Sequence, residues 1–228
     1  ENPITYKVKA GEKLKDLRNF PKHVETIFKK GAKQGFPRQV IAFGGGSVSD
    51  FAGFFASIYK RGVPLTHVPT TWLAALDSAH GGKTALNVLG VKNQLGTFAP
   101  ASHIYLSRKV LMLQPNERAV EAFGEFLKIG LLDGGPWFFQ MMKSKMQLKR
   151  RLWHFLKPAV RAKYHIVLRD PKEKSGVRQL LNFGHTLGHI LESYHQLPHG
   201  IAVTFGIDFA IRWSVHRKYL DPRVFEKI

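Results

Sequence analysis

The residues best equipped for chemistry lie in Asn182-Phe183-Gly184-His185-Thr186-Leu187-Gly188-His189, followed ten residues later by His199. Helical periodicity stacks His185 and His189 one turn apart on one face, where two imidazoles can reach one metal ion or one substrate. A catalytic Zn2+ usually takes three protein ligands and keeps one position open, and His199, in Leu-Pro-His-Gly after a turn, is the natural third nitrogen. A carboxylate can replace one imidazole, and Glu125 in Gly124-Glu125-Phe126-Leu127-Lys128 is the most suggestive candidate upstream. Spacing alone leaves a plainer reading open, because in a chain with 11 histidines a pair at helical spacing also occurs as ordinary packed side chains.

Composition narrows the chemistry. The 228 residues, 44% of them hydrophobic, can bury a real core in one large or two small domains. With no cysteine, a disulfide framework and a thiolate metal site are both excluded, so any metal must be held by His, Asp or Glu. No apolar run approaches the ~18 residues of a membrane span. The opening Glu1-Asn2-Pro3-Ile4 lacks a signal-peptide layout. The expectation is a soluble, cytoplasmic protein without a membrane partner. A formal charge of +19, from 35 Lys and Arg against 16 Asp and Glu, favours an anionic partner, either nucleic acid or a small polyanionic substrate. The densest basic run, Lys143 to Arg151 beside Trp153 and Phe155, reads as the solvated face of an amphipathic helix. Nucleic acid is therefore not the expected partner.

The elements that must position these residues fall into two parts. In the first, Val24 to Gly35 is helical in pattern, Gln39 to Phe43 is a buried strand, and Gly44-Gly45-Gly46-Ser47 is a turn opening a helix through Tyr59. Leu65 to Pro69 and His103 to Leu106 read as further strands, on either side of a segment with Gly81 and Gly82. Strand, glycine turn, helix, strand is a nucleotide-binding α/β layout. From Pro115 onward the pattern is helical, broken at Gly134-Gly135-Pro136, Pro158, Asp170-Pro171, Pro198 and Pro222. The expected division is an α/β nucleotide-binding domain over 1–114 and a mainly α-helical domain over 115–228, with the site in the cleft between them.

Glycines after a strand let the backbone approach a pyrophosphate, whose charge the following helix start favours. The triple glycine lacks the G-x-G-x-x-G spacing and serves equally as a tight turn. Asp50, one turn into the helix, is placed to interact with the helix dipole or to receive a cofactor group.

The run from Gly44 to Asn87 with its Gly81-Gly82-Lys83, then Val91-Lys92-Asn93, Gly124 to Gly130, and Ser175 to His189 with its Arg178-x-x-x-Asn182, together resemble the 3-dehydroquinate synthase family from about Gly11 to Asp208. The resemblance implies an NAD-dependent and zinc-dependent sugar phosphate cyclase of the shikimate pathway, with Co2+ suited to the same ligands. It would convert 3-deoxy-D-arabino-heptulosonate 7-phosphate, a phosphorylated carboxylic-acid sugar, to 3-dehydroquinate and phosphate. The resemblance implies Glu125, His185 and His199 as zinc ligands. It implies Glu12, Lys15, Gly44, Gly45, Gly46, Asp50, Thr70 and Thr71 at the NAD site, with Lys83 and Lys92 shared between cofactor and substrate. Asp77, Asn93, Lys128, Lys163, Arg178, Asn182 and His189 match substrate and catalytic positions. Arg61 matches an arginine that reaches a substrate phosphate across a dimer interface, which implies a homodimer.

Departures from the family pattern accompany the matches. The segment starts just before Gly-Glu-x-x-Lys, so the family's first βαβ unit is expected to be missing, and its last helices, with a C-terminal lysine, are expected to be missing at the other end. Ile201 stands where the family usually has a glutamate, which removes a carboxylate beside the third ligand. Another cyclase of the superfamily, a glycerol-dehydrogenase type of enzyme, and an inactive homologue with a basic binding surface are the competing readings.

Overall fold

Phe51, Ala52, Phe54, Phe55 and Ala56 recur at helical spacing and are all buried, which makes the helix Gly46–Ile58 (α2) the centre of the first half of the chain. In a computed structural model, which describes residues 3–36 and 38–225, α2 packs on a parallel sheet of Val40–Gly44 (β1), Leu65–Pro69 (β2) and His103–Ile104 (β5), in the order β1-β2-β5. Phe20 from the helix Phe20–Gln34 (α1) meets Phe51 and Phe54 edge to face at ring separations of 5.6 and 5.3 Å. Leu14, Tyr59 and Leu86 complete this core. The expected strand at Gln39 to Phe43 forms, but only Ala42 is buried in it; Ile41 and Phe43 are 59% and 63% exposed. An apolar run of this kind suits a strand buried on both faces, whereas α2 covers one face of β1 only.

Sequence reading left a second sheet unrecognised. Lys83–Val88 (β3) and Val91–Phe98 (β4) form an antiparallel hairpin. Its two-residue loop, Leu89-Gly90, has positive φ at both positions, 50° and 84°, which is the backbone of a I′ turn. A leucine in place of the usual Asn or Asp at the first of these positions hides the turn, and the largely exposed β4 lacks an apolar stripe. The short helices Trp72–Leu76 (α3) and Arg108–Met112 (α4) lie on either side of this hairpin in the chain.

The chain divides into two units, Glu1–Gln114 and Pro115–Ile228. The second is helical: Asn116–Asp133 (α5), Pro136–Lys143 (α6), Leu148–Arg169 (α7), a 3-10 segment Val177–Asn182, His185–His195 (α8), His199–His216 (α9) and Pro222–Phe225 (α10). Leu152, Phe155, Leu156, Ala159, Ala162 and Val167 form the buried stripe of α7, while Val203, Ile207 and Ile211 do the same for α9. Pro158 was expected to break a helix, yet α7 continues through it. The proline lacks the N–H that would bond to the carbonyl of His154, and His154 is exposed, so water can satisfy that carbonyl. The basic run Lys143 to Arg151 is not one helical face either. It spans the end of α6, a loop and the first turn of α7, and Arg151 lies over the Phe123 ring at 5.4 Å. Among the described residues, no helix is long and apolar enough to cross a membrane.

Candidate functional site

In the second unit three potential ligands converge. Glu125 on α5, His185 at the start of α8 and His199 at the start of α9 each offer one atom, and these atoms lie within 4.8 Å of one another. Both imidazoles turn Nε2 toward the same carboxylate oxygen: His185 Nε2 is 3.7 Å and His199 Nε2 3.5 Å from Glu125 Oε1. A tetrahedral ion bonded at about 2.0–2.2 Å holds its ligands roughly 3.3–3.6 Å apart, so this donor set fits Zn2+ or a similar divalent ion after small inward shifts. The other oxygen is engaged by Lys128, whose Nζ is 2.6 Å from Oε2. Both side chains are almost fully buried, at 3% and 1% exposure. Each histidine is also held from behind. His185 Nδ1 lies 3.3 Å from the carbonyl of Phe183, and His199 Nδ1 lies 3.0 Å from Glu192 Oε2. With Nδ1–H donating in each case, both Nε2 atoms face the common centre, where His199 offers a lone pair once its Nε2 proton has left.

Glycines make this convergence possible. A Cβ built at Gly124, next to Glu125, would overlap the carbonyl oxygen of Gly200, and one at Gly200, next to His199, would overlap that of Glu121. On the other side of α9, a Cβ on Gly206 would overlap the carbonyl of Gly184, while Gly184 itself has φ 79° and its Cβ would sit 2.8 Å from the carbonyl of Val203. Helices α5, α8 and α9 thus approach closely, backbone against backbone, at the places where the ligands emerge.

The electrostatics of the triad are uneven. Glu125 and, after burial's opposing pull, Glu192 push the His199 pKa up to about 9. His185 is pushed down by burial and then by the Lys128 ammonium. Metal-free, the site therefore carries a protonated His199 between two carboxylates and a neutral His185. A divalent ion must displace the His199 proton to bind.

The first unit builds a different polar cluster. The segment Glu12–Lys15 forms a 3-10 turn that delivers a buried Lys15 to both Asp50 on α2, at 2.6 Å, and Asn93 on β4, at 2.6 Å. Asn87 links the same pieces: its amide donates to Glu12 at 2.7 Å, and its oxygen accepts the Asn93 N–H at 2.9 Å. Asn93 has φ 58°, beside an irregularity in the β3–β4 register. Burial raises the Asp50 carboxyl above its usual range, Lys15 works against this, and Glu12 and Asp77 add to the rise. A pocket of about 360 Å³ opens here, lined by Asp50, Lys83, Asn93 and Thr97 among others.

Beside it, the glycine turn closes β1 onto α2. Gly44 has no room for a Cβ, which would sit 2.6 Å from that of Val48, and at Gly45 one would lie 3.1 Å from Thr71. Packing thus accounts for Gly44, while Gly45 is merely a tight fit against a side chain. Gly46 has only ordinary contact with Ser78 at 3.5 Å. Thr71 caps α3, its hydroxyl accepting the Ala74 N–H at 3.2 Å, and Thr70 donates its N–H to the Gly44 carbonyl.

Of the other expected residues, Lys163 and Arg178 are buried in the second unit. Arg178 donates to the carbonyl of Pro171 at 2.7 Å, and its backbone N–H bonds to Asp170. Asn182 is exposed at the end of its 3-10 segment. His189 is exposed, its ring 5.2 Å from that of His185 and 6.4 Å from that of His199, so it borders the triad without joining it. Lys83, Lys92 and Arg61 are exposed on β3, on β4 and at the end of the 3-10 turn Tyr59–Arg61. Two polar residues escaped sequence reasoning. Asn87 lies on the unrecognised hairpin and carried no local signal. Glu192 did carry one, because His185, His189 and Glu192 fall at i, i+4 and i+7 on a single helical face.

The family model for the 3-dehydroquinate synthase N-terminal part matches residues 5–121, and that for the C-terminal part matches residues 122–228. A 3-dehydroquinate synthase of Alkaliphilus oremlandii is 36% identical over 93% of this chain, which spans 60% of that relative's length. Among solved structures, a 2-deoxy-scyllo-inosose synthase complexed with carbaglucose-6-phosphate, NAD+ and Co2+ superposes with TM-score 0.84 and 26% identity over 94% of this chain and 61% of its own. A 2-epi-5-epi-valiolone synthase from Streptomyces hygroscopicus with NAD+ and Zn2+ bound has TM-score 0.74 and 26% identity, over 96% of this chain and 64% of its own. By its matches to both family models over nearly its whole length, the chain belongs to the 3-dehydroquinate synthase family.

Proposed function

We propose that this chain carries the catalytic core of a 3-dehydroquinate synthase, acting on 3-deoxy-D-arabino-heptulosonate 7-phosphate. The observation that carries the proposal is the convergence of Glu125, His185 and His199, in a member of this family, on one point. When bound, a divalent ion held by these three would supply Lewis-acid polarisation of a substrate hydroxyl, and NAD+ near Gly44, Gly45, Gly46, Asp50, Thr70 and Thr71 would accept and return a hydride. The solved relatives with NAD+ and Co2+ or Zn2+ support both groups.

The chain's own residues divide the remaining work. Lys128 takes Glu125 Oε2 and leaves Oε1 for the ligand centre. Lys83 and Asn93, which line one pocket, and, from a second copy in a homodimer, Arg61 would hold the phosphate, a role that His189 beside the metal ligands shares in the family pattern. Phosphate leaves once the carbon beside it has become acidic, and a phosphate oxygen can take that proton itself, so these groups need only hold it and offset its charge. Arg178 presents a planar fork suited to the substrate carboxylate, and Lys163 and Asn182 suit its hydroxyls. Lys15 braces the cofactor side through Asp50, and Glu12 does so through Asn87, while Asp77 and Lys92 complete the site.

Release of inorganic phosphate from the heptulosonate phosphate tests the reading. Release should require NAD+ and a divalent ion, stop with a chelator, return with zinc, and fall at least a hundredfold in Lys83→Ala and His185→Ala. No release under the complete conditions refutes it. Faster turnover of a sugar phosphate without a carboxylate assigns the chain to another cyclase of the superfamily.

A further inference from the structure

We propose that Glu192 is a positioning residue for the metal centre, fixing the tautomer and orientation of His199 from the neighbouring helix; this deepens the proposed function and rests on its metal site. The two histidine ligands are held by chemically different partners. Behind His185 stands a backbone carbonyl, a neutral acceptor at 3.3 Å. Behind His199 stands a carboxylate at 3.0 Å, a charge-assisted and therefore stronger acceptor.

Two features of the chain bring Glu192 there. It lies two helical turns after His185 on α8, so both project on the same side. A tight reversal through Gln196, with φ 52°, and Pro198 then starts α9 at His199, within reach of the side chain left on α8. The pair is shielded, at 32% exposure for His199 and 24% for Glu192, which limits competition from water. The segment His199-Gly200-Ile201 has no carboxylate of its own, and Glu192 places one against the third ligand from a different element. With Nδ1–H committed to Glu192, His199 can present only Nε2 to Glu125 Oε1, at 3.5 Å. Removal of Glu192 frees the ring to rotate or change tautomer and makes it a poorer ligand, a change that typically costs 10–100-fold in metal affinity.

The test compares parent, Glu192→Gln and Glu192→Ala by Zn2+ competition against a chromophoric chelator and by the visible spectrum of bound Co2+. Thermal unfolding of each metal-free protein is measured alongside. The glutamine oxygen can still accept the Nδ1–H, so the expected order of affinity is parent, then Gln a few-fold weaker, then Ala roughly 10–100-fold weaker. The Co2+ bands should be altered in Ala, with metal-free melting close to the parent. Affinity of Ala within twofold of the parent, or equal losses in Gln and Ala, overturns the proposal. If Ala does not fold, Gln decides: parent-like affinity overturns the positioning role. A parent that binds no stoichiometric metal overturns the metal centre itself, whereas a parent that binds while the variants are indifferent removes Glu192 alone.

Discussion

Replacing Gly200 by alanine sets two effects of opposite sign against each other. Helix propensity favours alanine over glycine within a helix by up to about 1 kcal/mol. Against this, the new methyl at the start of α9 overlaps the carbonyl oxygen of Glu121 in α5. That obstacle is backbone, which cannot rotate away. Restoring ordinary contact needs the two helices to part by roughly 2 Å. Overpacking of this kind costs about 3 kcal/mol, so the net effect is roughly 2 kcal/mol of destabilisation, or a Tm lower by about 4–8 °C for a chain of this size. The displacement also separates Glu125 from His199, and metal sites tolerate errors of only about 0.2 Å, so Zn2+ affinity should fall by at least about tenfold. Circular dichroism melting and chelator competition measure the two effects. Gly46→Ala, whose methyl meets only Ser78 at 3.5 Å, is the control for stability. If Gly200→Ala melts at or above the parent temperature and binds zinc as tightly, the helix contact does not hold the ligands together.

Two further predictions concern buried charge. Lys128→Met takes the ammonium away from the buried Glu125 carboxylate and should cost about 3 kcal/mol in metal-free denaturant melts; saturating Zn2+ should narrow the gap, and a variant as stable as the parent without metal would refute the pairing. His67, buried on β2, has its pKa pushed down to about 4 by burial, below the usual value of about 6.5 in an unfolded chain. Between these values the unfolded chain takes up the proton first, so this stability is complete above about pH 6.5 and is lost toward pH 4, by at most about 1.4 kcal/mol per pH unit. His67→Leu should therefore flatten the urea midpoint against pH over that range, and parallel profiles for the two proteins would exclude the effect.

Much of this architecture was legible in residue spacing. The phenylalanines of α2 and the glycine turn before it announce a strand-turn-helix unit, because burial and backbone approach leave local marks. The ligand set was legible only in part. His185 and His189 have the spacing of a pair, but the orientation of a ring depends on what stands behind it, and α9 and α5 bring His199 and Glu125 to His185 instead. That choice depends on contacts between distant helices, permitted by Gly124 and Gly200, whose role no local pattern displays. The hairpin was hidden for another reason: β4 is largely exposed, so its residues carry no alternating apolar signal, and with it Asn87 and the brace on Asn93 went unseen. Pro158 shows the reverse error, a strong local signal overridden by the buried stripe on either side of it.

Anomalous diffraction at the zinc edge, from crystals grown with one equivalent of Zn2+, tests the central claim most directly. The account predicts one peak bonded at about 2.0–2.2 Å to Glu125 Oε1, His185 Nε2 and His199 Nε2, with Lys128 still on Oε2. An ion bound elsewhere, or zinc absent from this point while Glu125 stays paired with Lys128 alone, would contradict it.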